Sequence, residues 1–380
     1  MPDHADESLS PASGPFLDNN VTADTPSHPS ATLAGSPVNR LVAAAKRNSH
    51  FYSPLPSGNS IRIIELQPGK DDDQISFSLH TVPENRDAVE YHALSYCWGD
   101  ATDLVKVLCE NTSFFVTWNL HSALWHLRSG DTTRNLWVDA ICINQYDTAE
   151  RNEQVSKMRQ IYANARRVDV WLGPSDGDTA QAVDLIDKIA TSCCTSIFGE
   201  KSRSQWVTSL NKEDRPYQVL PESSLTGLPN SSSSTWQSMA RYYDRPWFLR
   251  VWVIQEVQAC TDVLVYCGKV VIEWEFVALV ASWIENARNL EIRRFFCNSE
   301  GIPQTETMRE RTVTRRDAPF LFALLRTRDF IATDPRDKIF SLLQHQISTE
   351  NESARALSAS PRTKSDAGLP ISFVRHWSLI

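Results

Sequence analysis

The stretch Asn135–Gly173, NLWVDAICINQYDTAERNEQVSKMRQIYANARRVDVWLG, decides the fold. Leu136–Ala140 reads as a short apolar strand, and Asp147–Arg166 sets Val155, Met158, Ile161, Tyr162 and Ala165 on one stripe at helical spacing. Val168–Leu172 is a second strand, closed by Gly173-Pro174. Strand, helix and strand at these short spacings imply parallel strands joined by right-handed crossovers. Tyr91–Cys97 lies upstream as a further short strand, so these three strands are expected side by side in a mainly parallel sheet flanked by helices. A sheet of that kind binds ligands at the carboxyl ends of its strands.

Working outward from this centre, Ile61–Leu66 and Ile75–Val82 flank the turn Pro68-Gly69-Lys70-Asp71 and predict an antiparallel hairpin. Val105–Val116 adds one or two strands around Glu110-Asn111-Thr112. Leu120, Leu124 and Leu127 recur at helical spacing, with Asn119 read as N-cap and Gly130 as the stop. Downstream, helices are expected at Ala180–Ala190, Trp236–Tyr243, Pro246–Val257, Glu273–Leu290 and Phe320–Arg326, with a strand at Asp262–Cys267. The stretch of about 195–235, which contains SSLTGLPNSSSS, reads as a Ser-rich surface insertion in a domain running over 49–345. Residues 1–48, rich in Ser, Pro, Asp, Ala and Thr, read as a disordered leader, and 346–380 as a flexible, atypical tail.

Composition narrows the function classes. At 380 residues and 41% hydrophobic content the chain can bury a substantial core. A formal net charge of -8 argues against a mainly electrostatic binder of nucleic acid or anionic membrane, the basic run Arg309–Arg316 reading as a solvated end or loop. The eight cysteines show no C-x-x-C spacing, so neither zinc nor a disulfide framework is indicated. The N-terminus lacks a basic and apolar signal pattern, and no apolar run approaches the roughly 18 residues that span a bilayer. These features read as a cytoplasmic protein without a membrane partner.

Several residues could carry chemistry. Asp139 is placed at a strand end, on the expected ligand edge, with Asn144 and Gln145 in the next loop; their amides suit a ribose or an amide and equally suit loop backbone. Tyr96, Trp98, Gly99 and Asp100 form a loop after Tyr91–Cys97, in which an indole could stack on a ring and a glycine admit a phosphate, or simply pack a turn. Asp147 at N-cap and Glu150 at N3 form a capping box, which explains both acids structurally. Glu256 follows Trp252 by one helical turn, in apolar company. No G-x-G-x-x-G or P-loop is present, and no Cys-His or Ser-His-Asp arrangement stands out.

Three blocks taken together, YHALSYCWGD at Tyr91–Asp100, the Asn135–Gly173 stretch, and RPWFLRVWVIQEV at Arg245–Val257, resemble the HET domain of fungal heterokaryon-incompatibility proteins. DPRDKIFSLL at Asp334–Leu343 resembles a motif that follows many such domains. The blocks also share a skeleton with TIR domains: an L-S-aromatic strand end followed by Gly and Asp, an acidic strand end, and a late W-x-x-x-E. This resemblance implies an α/β, TIR-like mainly parallel sheet with the N-terminal hairpin and helical C-terminal additions. It also implies a role in allorecognition and programmed cell death. Matched to the TIR pattern, Trp252 and Glu256 fall on the motif whose Glu is needed to cleave NAD at the nicotinamide–ribose bond. NAD would then be a substrate, with no cofactor required, and Glu256 the catalytic acid. The remaining site residues implied are Tyr96, Trp98, Gly99, Asp100, Asp139, Asn144, Gln145 and Trp252. A non-enzymatic module that self-associates or recruits a partner incompatibility protein is the alternative the same skeleton implies.

Overall fold

Alternating and clustered apolar residues give nine strands among the described residues of this computed structural model, which are 37–56, 60–85, 87–212, 227–287, 289–309, 320–332 and 335–342. They are β1 (Ser60–Leu66), β2 (Ser76–Pro83), β3 (His92–Tyr96), β4 (Leu104–Cys109), β5 (Thr112–Thr117), β6 (Arg134–Trp137), β7 (Arg167–Trp171), β8 (Val263–Cys267) and β9 (Val270–Glu273). All lie in one sheet, in the order β5-β4-β2-β1-β6-β3-β7-β8-β9. Its centre, β6-β3-β7-β8, is parallel throughout, with His92 opposite Leu136 and Tyr96 opposite Trp171. The β1-β2 hairpin is antiparallel, and β4 returns parallel to β2. The three strands at Tyr91–Cys97, Leu136–Ala140 and Val168–Leu172 are therefore neighbours, as the spacing predicts.

Helices α1 (Pro37–Asn48), α2 (Trp118–Leu127), α3 (Asp139–Cys142), α4 (Thr148–Ser156), α5 (Met158–Asn164), α6 (Thr179–Phe198), α7 (Arg203–Lys212), α8 (Ser234–Tyr243), α9 (Val253–Gln258), α10 (Trp274–Asn286), α11 (Leu290–Arg293), α12 (Gly301–Arg309) and α13 (Phe320–Arg326) flank the sheet. α5 packs on α9, while α6, α8, α10 and α12 pack on one another. Among the described residues, no helix is long and apolar enough to cross a membrane.

Tertiary contacts override several local expectations. The strand at Leu136–Ala140 stops at Trp137, because the Ile141 and Cys142 amides turn back to the Val138 carbonyl at 3.0 and 2.7 Å and start α3. The helix over Asp147–Arg166 breaks at Lys157, where Ser156 Oγ bonds back to the Glu153 carbonyl at 2.6 Å, a contact that bends helices. Thr117, not Asn119, caps α2 by accepting from the Leu120 amide. The expected Ser-rich insertion begins as ordered helix: α6 runs on to Phe198, and α7 buries Leu210. Residues 213–226 of it, the expected tail, and most of Arg309–Arg316 lie outside the described residues.

The leader expected over 1–48 is corrected at its end, since residues from Pro37 form α1, with Pro in the first turn where a missing N–H costs nothing. Ala44 is buried, and the Asn48 amide donates to the Phe115 carbonyl at 2.9 Å and accepts from the Phe115 amide at 3.1 Å. Composition alone missed this, because Leu41, Ala44 and Ala45 are few in number yet share one face. Asn48→Ala should lower the unfolding free energy by about 1–2 kcal/mol, two hydrogen bonds at a nearly closed position. Urea denaturation of the variant beside the parent checks it.

Candidate functional site

The site begins where β3 ends. Successive strand residues face opposite sides, so Ser95 and Tyr96 leave the sheet on different faces. Ser95 is fully buried, and its Oγ donates to Glu256 Oε2 while accepting the Trp247 indole N–H at 2.8 Å. An indole only donates and a hydroxyl has one proton, so the Ser95 proton is committed to Glu256. Glu256 is 2% exposed, on the short helix α9. Burial pushes its pKa up to about 7 and the Asp139 charge adds to this, against the opposing pull of Arg250 and the Ser95 hydrogen bond.

Arg250 is the cation of the cluster. The expected single helix over Pro246–Val257 is interrupted there: a 3-10 turn at Pro246–Leu249 gives way to an extended Arg250 (φ -76°, ψ 134°), and α9 starts only at Val253. The extended residue lets Arg250 donate to the Tyr96 carbonyl. Burial works against its charge, yet Cys97, Glu256 and Asp139 around it hold its pKa above the ordinary value. Burial likewise raises the Asp139 pKa, opposed by a 2.8 Å hydrogen bond from Trp98 Nε1 and by Arg250. Tyr162, from α5, completes the surround, with its hydroxyl on the Leu94 carbonyl at 3.0 Å.

Of the residues read from sequence, Tyr96, Trp98, Asp139, Gln145 and Glu256 gather around this strand end. Gln145 donates to the Asp139 carbonyl at 2.9 Å, and with Tyr96 and Trp98 it lines a crevice roofed by Leu41, Ala44 and Ala45 of α1. Gly99 is left-handed (φ +81°), and a Cβ there would stand 2.8 Å from Asn119 Cβ, so its freedom serves the turn's own packing. Three others point elsewhere. Asp100 is exposed and accepts from the Thr102 amide and hydroxyl at 2.7 and 2.8 Å, which holds its carboxyl below the usual range. Asn144 closes a loop turn by accepting from the Tyr146 amide at 3.2 Å. Trp252, expected on the Glu256 face, is the residue before α9 and its carbonyl accepts the Glu256 amide at 3.4 Å, but its indole N–H is taken by Asp337 Oδ2 at 3.1 Å.

Sequence reasoning passed over Ser95, Trp247 and Arg250. The signal for Arg250 was present, a lone cation inside the apolar run PWFLRVWVI. It was masked by assuming one continuous helix. Glu150, read as half of a capping box, bonds Arg62 at 2.6 and 3.0 Å and the Asn144 amide at 2.8 Å, while Asp147 alone caps α4.

Two acids pushed up to about 7, Glu256 and Glu275, give a stability prediction. Glu275, 8% exposed, is also pushed up to about 7, by burial first and then by Glu273 and Asp262, against hydrogen bonds from backbone and Asn211. A carboxyl with a folded pKa above its unfolded value binds its proton more tightly in the fold, so its contribution is full below about 4.5 and is lost as pH rises through about 7. Unfolding free energy should therefore fall by on the order of 2–3 kcal/mol per acid across that window. Denaturant titrations at stepped pH read this directly, and Glu256→Gln should flatten the slope.

Comparison with known proteins agrees with the blocks described above. The family model described as heterokaryon incompatibility protein (HET) matches residues 91–256. Heterokaryon incompatibility protein 6, OR allele, of Neurospora crassa is 30% identical over 274 residues, covering 66% of this chain and 40% of that protein. The chain thus spans about two-fifths of the length of this curated relative. No solved structure matches. With β3, β6, β7 and the Glu256 turn all inside the matched range, the chain is a fungal HET-domain protein, its heterokaryon incompatibility domain occupying residues 91–256.

Proposed function

We propose that this protein acts in fungal heterokaryon incompatibility and that its HET domain triggers cell death by cleaving NAD in the manner of TIR domains. Glu256 is the acid in this reading. The observation that carries it is a buried carboxylate of raised pKa, oriented by Ser95 and paired electrostatically with Arg250, at the carboxyl edge of a parallel sheet. Loss of nicotinamide passes through an oxocarbenium-like state, which a fixed carboxylate stabilises. Asp139, Gln145, Trp98 and Tyr96 would hold the nucleotide, Trp98 by stacking. A cytoplasmic location, where NAD is at hand, belongs to the same reading.

A specific observation favours a second reading, a non-enzymatic module that self-associates and recruits a partner. The crevice beside Trp98 has a free volume of about 50 Å³, far below the roughly 300–1,000 Å³ of small-molecule sites. A nucleotide would need α1 to lift from its roof. Incubating the protein at high concentration with NAD and following nicotinamide separates the two. Release that depends on Glu256 supports the enzyme; no release from a folded, assembled protein leaves the module.

A further inference from the structure

The segment that follows the matched residues 91–256 reaches back to the Glu256 turn at three points. Ile331 donates its amide to the Leu249 carbonyl at 2.6 Å and accepts from the Val251 amide at 3.1 Å, a one-residue parallel bridge centred on Arg250. Asp337, 9% exposed, accepts the Trp252 indole N–H at 3.1 Å. The segment has its own footing: Phe330 is 1% exposed, Leu342 packs with Ala323 of α13, and Lys338 bonds the Arg328 carbonyl at 2.6 Å. Helical backbone at 337–342 opens on Asp337. This is the D-x-R-D-K motif, for which the proposed chemistry has no use.

Leu249, Val251 and Trp252 flank Arg250 on both sides. The bonds of the Leu249 carbonyl and the Val251 amide to Ile331 stand in for the backbone hydrogen bonds a continuous helix would make, and so allow Arg250 to be extended, while the Trp252 indole on Asp337 fixes the next residue's side chain. With its backbone pinned on one side, Arg250 is directed to the other, toward the Tyr96 carbonyl. Trp252 also supplies the backbone carbonyl to which the Glu256 amide bonds at 3.4 Å, so the residue whose indole Asp337 holds lies two places after the cation and opens the turn that carries the acid.

We propose that residues 329–332 and 335–342 form a clasp that places Arg250 beside Glu256, with Asp337 as a positioning residue acting through Trp252. It deepens the reading of Glu256 as the working acid. Its test, however, needs no turnover.

The full chain, labelled with carbon-13 at glutamate side-chain carboxyls, is titrated by NMR, and Glu256 is assigned by the signal lost in Glu256→Gln. Arg250→Met removes the cation that holds the Glu256 proton affinity down, and should raise the midpoint by about one unit. Asp337→Leu should shift it in the same direction, and the double variant should shift it no further than Arg250→Met alone. Asp337→Asn keeps an oxygen for the indole and should titrate like the parent. Should Asp337→Leu fail to fold, Trp252→Phe, which keeps the ring and removes its N–H, takes its place with the same expectation. An unchanged midpoint, a shift that adds to that of Arg250→Met, or an Asp337→Asn that behaves like Asp337→Leu would overturn the clasp. A fall in the midpoint would overturn it too, by showing that the segment only keeps water out. Absence of nicotinamide release would sink the enzyme reading and leave the clasp standing.

Discussion

Glu150→Ala is expected to lower the unfolding free energy by about 3–5 kcal/mol, the cost of stranding a buried charge. A lost helix cap alone would cost about 0.5–2 kcal/mol. The charge stranded is Arg62, 2% exposed in β1, whose guanidinium is held by both Glu150 oxygens and by the carbonyls of Ser53 and Cys142. It also lies 5.0 Å over the Tyr52 ring. Glu150 takes the Asn144 amide as well, so the truncation loosens the loop next to Asp139. Guanidinium denaturation measures the loss. Arg62→Met combined with Glu150→Leu should recover part of it, because two apolar side chains leave no orphaned ion. A Glu150→Ala loss below about 1.5 kcal/mol would show that Arg62 is not stranded when its partner is removed.

The other large effect is chemical. Under the proposed NAD cleavage, Glu256→Gln should slow nicotinamide release by about 10²–10³-fold, the usual effect of removing one preorganised electrostatic contact from a closed site. Glutamine keeps the volume and still accepts the Ser95 proton, so the fold should survive the change. The parent rate should climb as pH rises through about 7, since the carboxylate is the working form and burial delays its ionisation. In a yeast host, toxicity of the parent and its fall in NAD should both disappear in the variant. Equal toxicity of the two proteins, or death at steady NAD, would move the case to the interaction module.

Much of this arrangement was legible in the residues. Short apolar runs at Tyr91–Cys97 and Val168–Leu172, with an apolar stripe between strands, leave little choice but neighbouring parallel strands. Asp139 still lies just past the strand end even though its strand stops early, because the short helix that replaces the strand's last residues begins at Asp139 itself, whose carboxylate takes the Trp98 indole N–H. The parts that stayed illegible depend on partners distant in sequence. Nothing local in RPWFLRVWVIQEV says that Ile331 will bond on either side of Arg250 and break the helix. Likewise, Glu150 satisfies every rule for a capping box, and only Arg62, 88 residues away, shows its other duty. Trp252 and Glu256 keep the helical spacing read from the sequence, and what that spacing could not show is Asp337, 85 residues away, taking the indole N–H.

Helix α1 has a consequence that reaches past the crevice it roofs. β5 is the last strand at its side of the sheet, and Asn48 occupies the outward-facing amide and carbonyl of Phe115 where another strand would pair. One element therefore closes two different openings, the narrow crevice beside Trp98 and a strand edge. Lifting it bares both at once, which makes filling the crevice and docking at the β5 edge thermodynamically linked, each favouring the other by the same free energy.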